Sequence, residues 1–384
     1  MLSPQGQELL AELEQQADGA AATFRLGTDL RARYPVDLVV DALAQHELRL
    51  LARAKFSRAM DMFFTRAGLE QASSEVIALY RSARYSGAGL VADLCCGIGG
   101  DLVALAGGRE VLAVDTRPLH LRMARANAEV YGVAAGVTTV AADVRDIALD
   151  SAGWLFIDPA RRRHGRRLPA GDSDPPLAWC LGLAGQAGPG ASPGRRVGVK
   201  AAPGLSHDVV PPGWEAEFIA IGRDLKEAVL WSPALATATT RATVLPGGHS
   251  LTPGPGGPAQ VGMPGRYLLD PSPAVTRAGL VADLAHLVGA WQIDEKIAFL
   301  AADAAVHTPF ARTLQVIDSA PWDQRKLPAR LRALGVGSVD IRRRGLAGDV
   351  GKLHSGLKLS GPLRATLVMT RVQERPWGLV CVDA

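Results

Sequence analysis

Apolar residues follow two different periods along this chain. Over roughly the first 85 positions they recur at helical spacing: Leu9, Leu10 and Leu13, then Leu38, Val39 and Leu43, then Leu48 and Leu51. Each set is the stripe of a helix that packs on one side. Abundant alanine and arginine suit helices, and Ser73-Ser74-Glu75 has the form of a helix start, with serine accepting amide hydrogen bonds. From Leu90 the pattern changes to short apolar runs, as in strands covered on both faces. These are the run Leu90 to Leu94, Glu110 to Asp115, Val137 to Asp143, Trp154 to Asp158 and Arg196 to Ala201. Helical segments alternate with them: Leu102, Val103, Leu105 and Ala106 follow the first strand, and Pro118 to Tyr131 follows the second, with proline in its first turn and Gly132 at its stop. The alternation predicts an α/β fold with an open parallel sheet.

Further on, Glu217 to Ile221 and Ala228 to Ser232 read as an antiparallel pair closing that sheet through Gly222-Arg223-Asp224, with Thr243-Val244-Leu245 extending the edge. Glycine and proline dominate Gly247 to Gly265, which reads as a linker. Two helical segments follow Tyr267 to Pro271, with Leu280, Val281, Leu284, Leu287 and Val288 on one face, and read as a bridge. The last part alternates strands (Thr313 to Ile317, Val339 to Ile341, Ala365 to Thr370, Leu379 to Val382) with a helix carrying Leu327, Leu331 and Leu334. The expected domains are a helical one at 1–85, the parallel sheet at 86–250, linker and bridging helices at 251–309, and a small α/β module at 310–384.

Four of the parallel strands end in an acid: Asp93, Asp115, Asp143 and Asp158. Ligands of open α/β sheets sit at the carboxyl ends of the strands, so the four converge on one crevice. The turn Cys95-Cys96-Gly97-Ile98-Gly99-Gly100 lets backbone amides approach a ligand there. A tight strand-to-helix connection would explain the glycines alone; the run of strand-end acids is what singles them out. The spacing departs from the dinucleotide fingerprint G-x-G-x-x-G, whose third glycine would fall at Leu102, and this disfavours a dehydrogenase.

The stretch Asp93-Leu94-Cys95-Cys96-Gly97-Ile98-Gly99-Gly100 resembles the Rossmann-like methyltransferases that use S-adenosylmethionine. The resemblance implies that Asp93, Cys95 and the backbone of Gly97, Gly99 and Gly100 surround the methionine part, that Asp115 takes the ribose hydroxyls, and that Asp143 reaches the adenine amine. Asn127-Ala128-Glu129-Val130-Tyr131-Gly132, Lys55-Phe56-Ser57-Arg58 and Phe63-Phe64-Thr65-Arg66-Ala67-Gly68-Leu69-Glu70 are similar to RNA guanine-N2 methyltransferases of the trimethylguanosine synthase type. They are closer still to a bacterial group with a THUMP-like C-terminal domain. In that group the region of Phe63, Phe64, Thr65 and Arg66 approaches cofactor and substrate, while core packing is the plainer account of both phenylalanines. Asn127 and Tyr131 can also serve only to fasten their helix.

The same resemblance places the chemistry at Asp158-Pro159-Ala160-Arg161. Amino-group methyltransferases commonly set Asn, Asp or Ser before Pro-Pro and an aromatic: acceptors hold the amine while the ring stacks on the base. Asp158 and the Pro159 carbonyl match the acceptors, but Ala160 and Arg161 replace the second proline and the aromatic. A guanidinium can stack on a base or hold a phosphate, so Arg161 remains compatible with RNA. Arg161, Arg162 and Arg163 open a basic run that continues through His164 to Arg167; it suits a polyanion, or is simply a solvated loop. The THUMP-like module implies RNA binding, tRNA or rRNA, through Arg342, Arg343, Arg344, Lys352, Lys358, Arg364 and Arg371.

Composition bounds these readings. With 384 residues, 48% hydrophobic and 21% charged, the chain can bury a large core. A net charge of +4 permits a nucleic-acid partner without requiring one. Four cysteines form neither a disulfide framework nor a metal spacing, which points to a reducing cytoplasm. No leader and no bilayer-length apolar run is expected, hence no membrane. Two alternatives stay open: a protein that binds S-adenosylmethionine and RNA without catalysis, and a methyltransferase for protein or small-molecule amines.

Overall fold

The computed structural model describes residues 1–16, 29–163, 166–167, 172–185 and 194–384, which form two compact units. One comprises Met1–Ala202 with Val229–Ala236, the other Pro203–Ala228 with Thr237–Ala384.

In the first unit, the helices described before the sheet, as the 3.6-residue period predicts, include α1 (Pro4–Gln16), α2 (Val36–Ala52), α3 (Arg66–Gln71) and α4 (Glu75–Ser82). Leu9, Leu10 and Leu13 of α1 pack with Val39, Ala42 and Leu48 of α2 in a core that also takes Phe63, Phe64 and Ile98. Each such leucine contributes about 1.5–3 kcal/mol by leaving water. The start of α4 differs from expectation. Ser74 is its N-cap, but its side chain makes no cap bond. Neighbouring segments hold this helix end instead: Glu75 donates its N–H to the Lys55 carbonyl at 2.9 Å, and its carboxylate accepts from the Ser57 N–H at 2.6 Å and the Tyr131 hydroxyl at 3.1 Å.

The strands are β1 (Leu90–Leu94), β2 (Glu110–Asp115), β3 (Val137–Ala141), β4 (Trp154–Ile157), the short antiparallel pair β5 (Arg162–Arg163) and β6 (Arg166–Arg167), β7 (Arg196–Ala201), β8 (Glu215–Ile221) and β9 (Asp224–Trp231). Within the first unit the spatial order is β3, β2, β1, β4, β7 and then the end of β9. β1 through β4 and β7 run parallel, with β1 at the centre pairing Asp93 to Ala113 on one side and to Phe156 on the other. Crossovers are made by α5 (Leu102–Leu105), α6 (Pro118–Val130) and α7 (Leu177–Gly182). This is the Rossmann-like arrangement expected. All four acids lie at the carboxyl ends of their strands: Asp93 inside β1, Asp115 closing β2, Asp143 two residues past β3 and Asp158 one past β4.

In the second unit β8 pairs in parallel with β10 (Thr240–Leu245), and β10 pairs antiparallel with β11 (His249–Leu251). The expected linker therefore begins with a strand: Gly247 and Gly248 supply the reversal, and Leu251 is buried. The segment read as a bridge also joins a sheet. β12 (Tyr267–Pro271) is followed by α8 (Pro273–Ala278), α9 (Val281–Val288), β13 (Trp291–Gln292) and β14 (Leu300–Ala302), and β12 pairs antiparallel with both β14 and β15 (Ala311–Pro321). With α10 (Leu327–Ala333), β16 (Val336–Arg343), α11 (Val350–Gly356), β17 (Leu363–Val372) and β18 (Arg375–Asp383) this completes a sheet ordered β13, β14, β12, β15, β18, β17, β16. The C-terminal module is α/β, as its pattern predicts. Among the described residues no helix is long and apolar enough to cross a membrane.

Candidate active site

The chain leaves β1 through a loop with three residues in the left-handed region: Cys95 (φ 63°), Gly97 (φ 55°) and Gly99 (φ 84°). The two glycines are needed for different reasons. A Cβ at Gly99 would lie 3.0 Å from Ala124 on α6, so this position lets the helix pack. At Gly97 no atom stands within 4 Å of such a Cβ, and its N–H donates to Asp115 Oδ2 at 3.0 Å. Facing the loop, α3 is capped by Thr65, whose hydroxyl accepts from the Gly68 N–H at 3.0 Å. Between these walls lies a pocket of about 540 Å³, within the usual size of a small-molecule site.

Of the residues expected at the site, Cys95, Gly97, Gly100, Asp115, Asp143, Asp158, Pro159 and Arg161 line this pocket. Others do not. Phe64 is buried in the helical core, and Arg66 is exposed and paired with Glu47 at 2.9 Å. Thr65 serves as the cap, and the wall is built by the next residues, Ala67, Gly68 and Gln71. Asp93 is fully buried in β1 behind the loop. For Arg162 and Arg163 the backbone pairs with Arg167 and Arg166, while His164 and Gly165 lie outside the described residues.

The acids differ in state. Burial pushes the Asp93 carboxyl well above the usual carboxylate range, reinforced by Asp101 and Asp158, and neither of its oxygens has a hydrogen-bond partner among the described residues. For Asp115, desolvation acts upward but is outweighed by His120 and by the N–H groups of Arg117 (2.8 Å) and Gly97, so its carboxyl lies below the ordinary value. Asp143 is lowered by Arg145, which donates through Nε at 2.8 Å and through a terminal nitrogen at 2.5 Å. Arg145 also lies 3.3 Å from Asp174, whose backbone bridges Ala160 in the loop after β4. Asp158 accepts from Lys200 Nζ at 2.6 Å. Burial raises the Cys95 and Cys96 thiols, so neither is a ready thiolate, and no metal-binding cluster exists among the described residues.

An uncharacterized S-adenosylmethionine-dependent methyltransferase of Mycobacterium tuberculosis H37Rv is 34% identical to this chain over 320 residues, covering 80% of this chain and 84% of that one. This chain belongs to the S-adenosylmethionine-dependent methyltransferases. The corresponding protein of strain CDC 1551 matches equally. A crystal structure of a Porphyromonas gingivalis W83 protein assigned as a methyltransferase shares the fold, with a TM-score of 0.76 at 19% identity over 99% of this chain and 98% of that one. Family models match three parts of this methyltransferase: RNA cap guanine-N2 methyltransferase at 88–159, a THUMP-like domain at 311–382, and a domain of unknown function at 1–54.

The pocket of the methyltransferase fits S-adenosylmethionine. Asp115 can accept from a ribose diol, and Gly97 leaves the loop open to close approach. The buried, unpartnered oxygens of Asp93 lie behind the loop that would meet a cationic ligand. Three contributors escaped the sequence reading. His120 stands in the first turn of α6 with Nδ1 3.6 Å from Asp115, Arg145 occupies Asp143, and Lys200 occupies Asp158. Lys200 left one signal, an ammonium near the end of an otherwise apolar parallel strand.

Proposed function

We propose that this methyltransferase modifies an exocyclic base amine, of guanine-N2 type, in structured RNA. The observation that carries the reading is Asp158: its carboxylate lines the cofactor pocket beside Pro159 and is held at one oxygen by Lys200 at 2.6 Å. An ionised carboxylate only accepts hydrogen bonds, so it suits a nucleophile that brings its own N–H. When bound, S-adenosylmethionine supplies the methyl group: the sulfur–carbon bond breaks with its electron pair left on sulfur, a nitrogen–carbon bond forms from the amine lone pair, and the nitrogen gives up one proton. Asp158 and the Pro159 carbonyl orient that amine, and the pocket walls exclude water around it.

Three features support an RNA acceptor. The guanine-N2 family match spans the glycine loop through Pro159. Arg161, in the position of the missing aromatic, lines the pocket and can stack on a base. Residues 311–384 hold 13 Lys and Arg against 6 Asp and Glu, although the whole chain carries only +4. The positive charge is thus concentrated in the THUMP-like part, as backbone docking requires. Its arginines are not equivalent: Arg344 is tied to Asp270 at 3.0 Å and to the Ala298 carbonyl at 2.6 Å, and Arg364 pairs with Asp340 at 2.9 Å. Arg342, Lys352 and Lys358 are exposed and make no ion pair among the described residues, so they are the proposed phosphate contacts.

The test is titration calorimetry with S-adenosylmethionine followed by tritiated methyl transfer to total RNA, with and without ribonuclease. Ribonuclease-sensitive label that Asp158→Ala abolishes while leaving cofactor affinity intact supports the reading. Cofactor binding without RNA label overturns the acceptor, and label in protein or small amines would replace it.

A further inference from the structure

Lys200 occupies a position where a buried parallel strand ordinarily carries an apolar residue. Val197 and Val199 of β7 are fully buried, and Lys200 itself is 5% exposed. An ammonium in such a place is costly unless paired. Its Nζ meets Asp158 Oδ2 at 2.6 Å and the Gln71 carbonyl at 3.4 Å. One lysine thus links the loop after β4 to the last residue of α3, and both Asp158 and Gln71 line the pocket.

We propose that Lys200 is a positioning residue for methyl transfer, acting through Asp158. A carboxylate held at neither oxygen turns about its Cβ–Cγ bond; held at Oδ2 by a buried ammonium, it offers Oδ1 to the amine in one orientation. Asp158 keeps a quarter of its side chain exposed, against 4% for Lys200, so the aspartate meets the acceptor and the lysine does not. The proton lost by the amine leaves by way of Oδ1 and water, and nothing is oxidised or reduced. The inference rests on Asp158 as the amine acceptor, and it assigns a role to a residue 42 positions further along the chain.

The experiment compares wild type with Lys200→Met, Lys200→Arg, Asp158→Asn and the Lys200→Met/Asp158→Asn double variant, with Lys200→Gln standing in if Lys200→Met does not fold. Misorientation of a reacting group by about 1 Å costs on the order of 100-fold, so Lys200→Met should lower kcat on total RNA by roughly that factor. Its apparent KM for RNA and its calorimetric Kd for S-adenosylmethionine should stay within about threefold of wild type, since an interaction made only in the transition state changes kcat. Lys200→Arg keeps the cation and should recover most of the rate. The double variant should be no slower than the worse single one. Equal loss of cofactor affinity, multiplicative losses in the double variant, or no recovery with arginine would overturn the proposal.

A second readout needs no RNA. In urea unfolding of the cofactor-free protein, the same four proteins should show a coupling of about tenfold or more in the unfolding equilibrium. Wild type that labels no RNA sinks the acceptor reading. The lysine is then judged by this cycle alone, and independent, additive effects would reject it.

Discussion

Asn127 joins three segments, and its replacement has consequences that can be worked from the bonds. The side chain is fully buried; Nδ2 donates to the Phe63 carbonyl at 3.0 Å and the Ile98 carbonyl at 2.8 Å, and Oδ1 accepts from the Phe63 N–H at 2.7 Å. Asn127→Ala removes all three partners in a place water does not reach. At about 1–1.5 kcal/mol for each unreplaced bond, the loss is roughly 3–4.5 kcal/mol, a large share of a typical domain's stability. Asn127→Asp is the sharper variant, because it keeps the shape and reverses one donor. Its carboxylate still accepts from Phe63 but sets a second oxygen against two carbonyls, so the charged form is disfavoured and the new carboxyl titrates above its unfolded value. A raised acid loses stability as pH rises, so this variant should gain stability as the pH falls from 7 toward 4. Ile98 lies in the glycine loop and Phe63 leads into α3, so cofactor affinity should fall about tenfold, equivalent to 1.4 kcal/mol. Urea unfolding at pH 5 and 7, with calorimetry for S-adenosylmethionine, measures both effects. A loss below 1 kcal/mol for alanine, or an aspartate variant as stable as wild type at pH 7, would refute the reasoning.

Three further outcomes follow from the same geometry. Gly99→Ala forces a left-handed alanine against Ala124 and should weaken cofactor binding and lower the melting temperature together; unchanged melting would show that α6 yields freely. Asp93 has a raised carboxyl, so it costs stability progressively as pH rises above 3.8, and Asp93→Asn should melt higher than wild type at pH 7 without cofactor while binding it more weakly; equal melting curves at pH 7 would contradict this. Asp115 is shifted the other way, so its contribution is present above 3.8 and fades as pH falls through its lower folded value. His120→Ala should move the acid limit of cofactor binding to higher pH, and a limit unchanged in calorimetric pH series would exclude His120 from that role.

Features written in neighbouring residues were legible in the chain. The glycine turn, the Pro118 helix and three of the four strand-end acids depend on local period and capping chemistry and lie where the pattern puts them, whereas Asp93 is buried behind the loop and does not line the pocket. Partners far apart in sequence were not legible. The pairing of Lys200 with Asp158 joins β7 to the loop after β4, and nothing local to either residue announces it. The motif around Phe63 to Glu70 leads into one wall of the pocket, but the side chains it singled out do not line it. Ala67, Gly68 and Gln71 of α3 line the pocket, whereas Phe64, ahead of the helix, is buried in the core and Arg66 is exposed. Short strands were hidden for another reason: β11 spans three residues amid glycine and proline, too few for an alternating pattern to register.

One wall of the pocket comes from residues that precede the sheet in the chain. Lys55 ties down the end of α3 by donating to the carbonyls of Leu69 and Ala72 at 2.7 and 2.8 Å, and Asn127 joins the approach to that helix to the glycine loop. A ligand that touches both walls stabilises the packing of this segment against the sheet, as any ligand stabilises the form it binds. Protease protection of residues 29–85 should therefore rise when S-adenosylmethionine is added to the purified protein, and unchanged protection would show that the wall does not respond to the ligand.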